Sequence, residues 1–392
     1  MLLKGIRVVD LSRVLAGPFC GQLLADMGAD VIKVESSAGD ENRLWPPIMP
    51  SGQSSNYGSV NRGKRAMTLD MKSVGGQRIL NQMIRRADVV THSFLPDVAD
   101  RLGLDYEKAK AANPRVVFCS ISGYGEHGEL RNKAGYDLMV QAFSGSMSTT
   151  GYEGTPPVRT GVSFIDMSTG ISAYAAILTA LFARERTGQG TWVRASLLET
   201  SIALLGYHAV GWMQAGIIPQ KQGSGSASQA PYQAFPTSDG YVLVGAPNNA
   251  AWQRLCNALG DDGLATDPRF ATNKSRFDNR ESLIPLLEVQ FKRLPAAHWV
   301  ELLEASGVAV APIHTLPQVM THPQVLANHM VLQATNAAGA VEHLVGTPFK
   351  VEGSGPPPST ASPPLGAHTD EILLELGFES SEIEQFRQLK AV

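Results

Sequence analysis

The stretch Gly5-Ile-Arg-Val-Val-Asp-Leu-Ser-Arg-Val-Leu-Ala-Gly-Pro-Phe-Cys-Gly-Gln-Leu-Leu-Ala-Asp-Met-Gly-Ala-Asp-Val-Ile-Lys-Val-Glu35 decides the fold. Gly5–Leu11 is a short apolar run and reads as a buried strand. Gly17–Met27 reads as a helix, with Gly28 placed as its C-terminal cap, and Ala29–Glu35 reads as a second strand. Strand, helix and strand at this spacing form a βαβ unit, whose crossover is right-handed and whose strands are parallel. The alternation continues with helix Gly76–Ala87, strand Asp88–Ser93, helix Tyr106–Asn113 and strand Arg115–Ser122. It resumes with strand Thr191–Ser196 and helix Leu198–Ala215. This pattern predicts a doubly wound, Rossmann-like α/β domain.

Farther along, Val158–Glu185 sets one acid, Asp166, ahead of a long and nearly uncharged helical pattern from Met167 to Ala183. Ala, Leu and Ile cover most of its circumference, which predicts a buried helix. Asp166 stands at the N-cap position, where unpaired amides and the positive end of the helix dipole favour the ionised carboxylate. It is either a cap or a charged carboxylate available as a nucleophile. The local sequence leaves both open.

After the small polar segment Gln222–Ser228 the texture changes. Tyr232–Phe235 and Tyr241–Gly245 read as strands joined through Ser238-Asp239-Gly240, a hairpin signal. Helices follow at Ala250–Leu259, Glu281–Arg293 and Ala296–Ala305, which suggests a smaller α+β domain. Pro356-Pro357-Pro358 and Pro363-Pro364 mark an extended return, followed by short helices at Thr369–Leu376 and Ser381–Leu389. The expected division is therefore a large domain over 1–220, a small one over 229–325, and a return segment over 326–392 that completes the large domain.

Composition is that of an ordinary globular protein, with 43% hydrophobic and 18% charged residues and a formal net charge of −3. No overall basic field points to nucleic acid or an anionic membrane. The three cysteines, Cys20, Cys119 and Cys256, lie far apart, which suits a reducing compartment and buried thiols rather than disulfides or a zinc site. No leader pattern opens the chain, and the apolar helical runs read as too interrupted to span a membrane, so a cytoplasmic location is expected.

Several motifs can be set aside. Gly123-Tyr-Gly-Glu-His-Gly128 matches a dinucleotide fingerprint, yet no helical periodicity follows it, so it reads as a glycine-rich turn. The histidines show no metal-binding spacing, so no metal is expected, and no G-x-S-x-G elbow supports a serine hydrolase. The segment Asn61-Arg-Gly-Lys-Arg-Ala-Met-Thr-Leu-Asp-Met-Lys72, with four cations, reads either as a solvated loop or as a local anion site for a phosphorylated ligand, with Arg101 able to serve the same purpose.

Taken together, five segments resemble the class III CoA-transferases, the family that includes formyl-CoA transferase and carnitine-related CoA-transferases. They are Leu15-Ala-Gly-Pro18 with Gly28-Ala-Asp-Val-Ile-Lys-Val-Glu35; Asn61-Arg-Gly-Lys-Arg65; Arg101-Leu-Gly-Leu-Asp-Tyr106; Ser120-Ile-Ser-Gly-Tyr-Gly125; and Gly135-Tyr-Asp137. Leu365-Gly-Ala-His-Thr369 resembles the family's C-terminal signature. The resemblance implies that Asp166 is the catalytic nucleophile, passing through an acyl-aspartyl anhydride and an aspartyl-CoA thioester. It implies CoA contacts at Ala16, Leu69, Lys72, Phe94, Arg101 and Tyr136, with Leu15 and Asp137 beside the reacting centre. It also implies an interlocked homodimer of ring-shaped chains, coenzyme A as a substrate moiety, and no permanently bound cofactor.

The chain departs from formyl-CoA transferase at Leu15, where that enzyme has glutamine, at Ser36, where it has arginine, and at Gly245-Ala-Pro-Asn-Asn249, which replaces a glycine-rich loop. These differences put oxalate in doubt as acceptor; a small dicarboxylyl-CoA such as succinyl-CoA is the expected donor. An α-methylacyl-CoA racemase is the nearest rival. That chemistry pairs a basic histidine with an acid, and this chain has Tyr136 at the matching place, a poor base. A CoA-binding protein without activity is the second rival.

Overall fold

A computed structural model describes all residues from Met1 to Val392. The first part of the chain runs through β1 (Arg7–Leu11), α1 (Ala16–Asp26), β2 (Asp30–Glu35), β3 (Arg65–Thr68), α2 (Val74–Arg86), β4 (Val89–His92), α3 (Pro96–Arg101), α4 (Tyr106–Ala112) and β5 (Val117–Ser122). It continues through α5 (Asp137–Phe143), α6 (Phe164–Thr187) and β6 (Trp192–Ser196). The six strands form one sheet in the order β3-β2-β1-β4-β5-β6, every pair parallel. Side chains alternate across a strand, and this sorts neighbours into two separate cores. Val8, Val31, Val89 and Val117 pack with α1 and α6. Val9, Ile32, Val90 and Phe118 pack on the other face with α2 and α4.

The chain divides into two compact units, Met1–Ser144 with Thr160–Gly206 and Pro323–Val392, and Gly145–Arg159 with Tyr207–His322. The second unit holds an antiparallel sheet of β7 (Tyr232–Pro236), β8 (Tyr241–Gly245) and β9 (Ala309–Pro312). Helices Asn249–Leu259, Arg280–Phe291 and Ala296–Ala305 supply Trp252, Leu255, Leu287 and Trp299 to its core.

The first unit's last segment carries a small hairpin, β10 (Val331–Thr335) and β11 (Val341–Val345), and then returns to the parallel sheet. His368 N donates to Ala66 O at 2.8 Å, and Ala66 N donates to His368 Nδ1 at 3.1 Å. Thr369 Oγ1 accepts from Thr68 N at 3.2 Å. The return segment therefore occupies the open edge of β3, and the terminal helices press Ile372, Leu373 and Phe386 into the second core.

Helix α6 corrects two expectations. It is long and apolar enough, by length and composition, to cross a membrane, so its sequence is less interrupted than it reads. Nor is it buried all round. Ile165, Gly170, Ala173, Tyr174, Ile177 and Leu181 face the core, while Ile171 is 44% and Phe182 62% exposed.

The basic run is the third correction. Over residues 62–65 it is neither a solvated loop nor an anion site, because acids from other elements pair Arg62, Lys64 and Arg65, and only Lys72 stays exposed and outside these pairs. Arg62 is buried, pairs bidentately with Asp26 of α1 and donates to Val345 O at 2.6 Å. Lys64 is buried against Asp10 (2.9 Å), Asn61 Oδ1 (2.9 Å) and Pro18 O (2.7 Å). Arg65 bridges Asp30, Glu371 and Glu375. Burial alone would raise Asp10, but Lys64 and then Lys33 hold it down at about 2.

Candidate active site

In a doubly wound sheet, ligands bind beyond the carboxyl ends of the strands where the strand order turns back. Here that place is between β1 and β4. The loops after β1 (Arg13–Gly17), β4 (Ser93–Leu95) and β5 (Ser122, Gly123) converge there on a cavity of about 310 Å³, together with Ala134–Tyr136 and Asp166. The glycine-rich turn serves this convergence. A Cβ on Gly123 would lie 2.6 Å from the Gly135 Cα, so the two backbones meet only because both residues lack side chains. No helix opens between residues 129 and 135, as expected for a turn rather than a dinucleotide site.

Asp166 reaches the cavity from the first turn of α6, and it is not the N-cap. The helix begins at Phe164, and the carboxylate that caps it belongs to Asp137. Asp137 Oδ2 accepts from Ile165 N (2.8 Å) and Asp166 N (3.1 Å). Its Oδ1 accepts from Gln141 Nε2, and Gln141 is tied in turn to Thr160. Asp137 thus takes the amides that would have stabilised an ionised Asp166. The Asp166 carboxylate accepts no hydrogen bond and faces no cation at bonding distance. Burial, and then the neighbouring Asp137 charge, push it up to about 7. The expectation that its position favours the ionised form is corrected on this ground.

One turn beyond Asp166, Gly170 packs against α1. A Cβ there would fall 2.6 Å from Ala16 O, so the glycine lets the α1 start approach this close to Asp166. Leu15, at the N-cap of α1, has no side-chain oxygen, and the Leu15, Ala16 and Gly17 amides enter no hydrogen bond. These three residues line the cavity.

Of the residues singled out from sequence, the structure brings Asp166, Leu15, Ala16, Phe94 and Tyr136 to the cavity wall. Asp137 lies buried behind it. Leu69 is in the second core, and Lys72 and Arg101 are exposed and not part of the wall. Sequence reasoning missed Arg13, the one cation lining the cavity, whose backbone N–H donates to Ser93 Oγ at 2.9 Å. Its position directly after β1, at the switch point, is the signal that identifies it.

The chain matches the profile of CoA-transferase family III over residues 3–369. It is 41% identical over 400 residues to an acyl-CoA transferase of Fusarium pseudograminearum, covering 98% of this chain and 87% of the relative. It is 37% identical over 390 residues to succinyl-CoA:glutarate CoA-transferase of Mus musculus, covering 98% and 88%. Its fold superimposes on the crystal structure of a CAIB/BAIF family protein from Brucella suis with a TM-score of 0.85 at 37% identity, covering 95% and 99%. With a cavity at the switch point, an unpaired carboxylate in its wall and matches of this extent, the chain belongs to CoA-transferase family III.

Proposed function

We propose that this transferase moves CoA from a small dicarboxylyl-CoA, such as succinyl-CoA, to a free carboxylic acid through covalent intermediates on Asp166. The observation that carries the reading is the Asp166 carboxylate, unpaired at a cavity also lined by Leu15–Gly17, whose amides enter no hydrogen bond. The carboxylate attacks the donor thioester carbonyl and expels CoA thiolate, giving a mixed anhydride. The thiolate attacks the aspartyl carbonyl, which releases the donor acid and leaves aspartyl-CoA. An acceptor carboxylate then attacks this thioester, and the returning thiolate takes the new acyl group and restores Asp166. Each addition places charge on a carbonyl oxygen, which preorganised amides stabilise. The dicarboxylate choice is supported by the name of the mouse relative.

Incubating acyl-CoA with and without free acids tests the reading. Transfer requires the second acid, whereas exchange of the α-proton without any acid would mark a racemase and no turnover a mere binder. The pH dependence follows from Asp166. Below about 7 its carboxyl keeps the proton and cannot attack, so donor-only thioester cleavage should fall as pH falls through that value. Asp137→Asn removes one charge that raises it, so the midpoint should move down, while burial keeps it above an ordinary aspartate. A single-turnover pH profile with a midpoint near 4 in the parent enzyme would contradict this.

For the nucleotide end of the donor, Arg13, Lys72 and Arg101 are the proposed contacts. Changing any one to Ala should raise the Michaelis constant for every acyl-CoA by about tenfold, the scale of one charge-assisted contact. Dependence on the acceptor should move far less. Steady-state kinetics that show equal losses for donor and acceptor would count against these residues as CoA contacts.

We also propose a homodimer of interlocked chains. The support is apolar surface without cover: Ile171, Phe182 and Leu204 in the first unit, and Trp212, Met213 and Ile218 in the second, are 44–69% exposed. Dilution should then yield no folded monomer. A monomer with native circular dichroism in sedimentation at nanomolar concentration would refute it.

A further inference from the structure

Val14 stands at the cavity wall with φ +69°, a left-handed conformation that is an outlier for a β-branched residue. Its neighbours hold it there from both sides. Val14 N donates to the Asp40 carboxylate at 3.1 and 3.3 Å, and Val14 O accepts from Asn42 Nδ2 at 2.6 Å. Asp40 is buried and held in turn. Lys33 Nζ, fully buried, donates to Asp40 Oδ2 at 2.9 Å and to Ser12 O at 2.5 Å, and Asp40 N donates to Glu35 Oε1 at 2.9 Å. Lys33, Asp40 and Asn42 do not line the cavity. What they determine is the path of the chain immediately before Leu15, Ala16 and Gly17, which line the cavity with Asp166 and whose amides enter no hydrogen bond.

We propose that Asp40 is a positioning residue for acyl transfer: through the strained Val14 it holds the start of α1 against the reacting centre on Asp166. This rests on Asp166 as the nucleophile. Without the clamp, Val14 relaxes to negative φ and the amides that follow it swing away, which weakens contacts made to the transition state more than those made to the bound donor.

The test is single-turnover formation of aspartyl-CoA at residue 166, trapped with borohydride and located by peptide mass spectrometry. Asp40→Asn should slow it about ten- to a hundredfold, with the Michaelis constant for the donor within about threefold of the parent. Adding Val14→Gly to Asp40→Asn should restore most of the rate, because glycine occupies the left-handed region without a steric penalty. A merely structural Asp40 would show a lowered melting temperature, and the second substitution would not recover the rate. Asn42→Ala cuts the other half of the clamp and leaves no charge unpaired, so it serves if Asp40→Asn does not fold. It should show the same rate loss and the same rescue. Parent-like labelling in these variants, or loss without rescue, overturns the proposal. Absence of label at residue 166 in the parent enzyme overturns the nucleophile and the proposal with it.

Discussion

Replacing Asp166 with Asn should lower CoA transfer by about 10³-fold or more while the protein stays folded. The amide keeps the size of the side chain but cannot attack a thioester. Nothing in the fold depends on its charge, because Asp137 caps the helix and the Asp166 carboxylate accepts no hydrogen bond. The sign of the stability effect follows from the raised pKa. Ionising Asp166 is harder in the folded chain than in the unfolded one, so its contribution to stability is fully present below about pH 4 and is lost as pH rises through about 7. At pH 8 the Asn variant should therefore unfold at the same urea concentration as the parent or a higher one. Near-parent turnover would show that another group is the nucleophile; a lower midpoint at pH 8 would show a structural role for the charge.

The largest expected loss of stability lies elsewhere, at Arg62. Its guanidinium is 2% exposed and is shared between Asp26, Val345 O and Thr347, and Thr347 Oγ1 also donates to Asp26 Oδ2 at 2.8 Å. The pair ties α1 to the segment before β3 and to the end of β11. Arg62→Ala leaves a buried carboxylate without its cation, and the expected cost is about 3–5 kcal/mol. Urea unfolding should show a lower midpoint, whereas the donor Michaelis constant of the remaining folded enzyme should not change. Replacing both partners with apolar residues, as in Asp26→Leu with Arg62→Met, should cost less than Arg62→Ala alone, because no charge is stranded. A raised donor Michaelis constant at unchanged stability would return Arg62 to the role of an anion-binding residue.

The contrast between these two positions shows what is legible in a sequence of this kind. The parallel sheet is written locally. Runs such as Val8-Val9 and Val31-Ile32 are apolar on both faces, and Gly28, with φ +98°, stops α1 where β2 must begin. Strands β10 and β11 mix polar residues into their runs, and β9 is four residues ending in Pro312, so none is distinct from a loop until its partner is known. The site is less local still. Asp137 is 28 residues from Ile165, and no spacing rule links a cap to a helix that far away. The cations at 62, 64 and 65 look solvated because Asp26, Asp10 and Asp30, which pair with them, sit inside otherwise apolar helix and strand patterns. Arg13 is different: the switch-point rule applied to the loop after β1 identifies it without coordinates.

The return of the chain onto β3 has a consequence for biosynthesis. All six strands lie before residue 197, yet one face of the sheet is finished by Ile372, Leu373, Phe386 and Ala391, which are made long after them. A nascent chain emerging from the ribosome therefore carries a half-covered sheet with an open edge until these residues have been made. Contacts of such long sequence separation also make folding slow. A premature stop ahead of Phe386 removes part of a core wall rather than a tail, and such products should be recovered bound to chaperones or in aggregates.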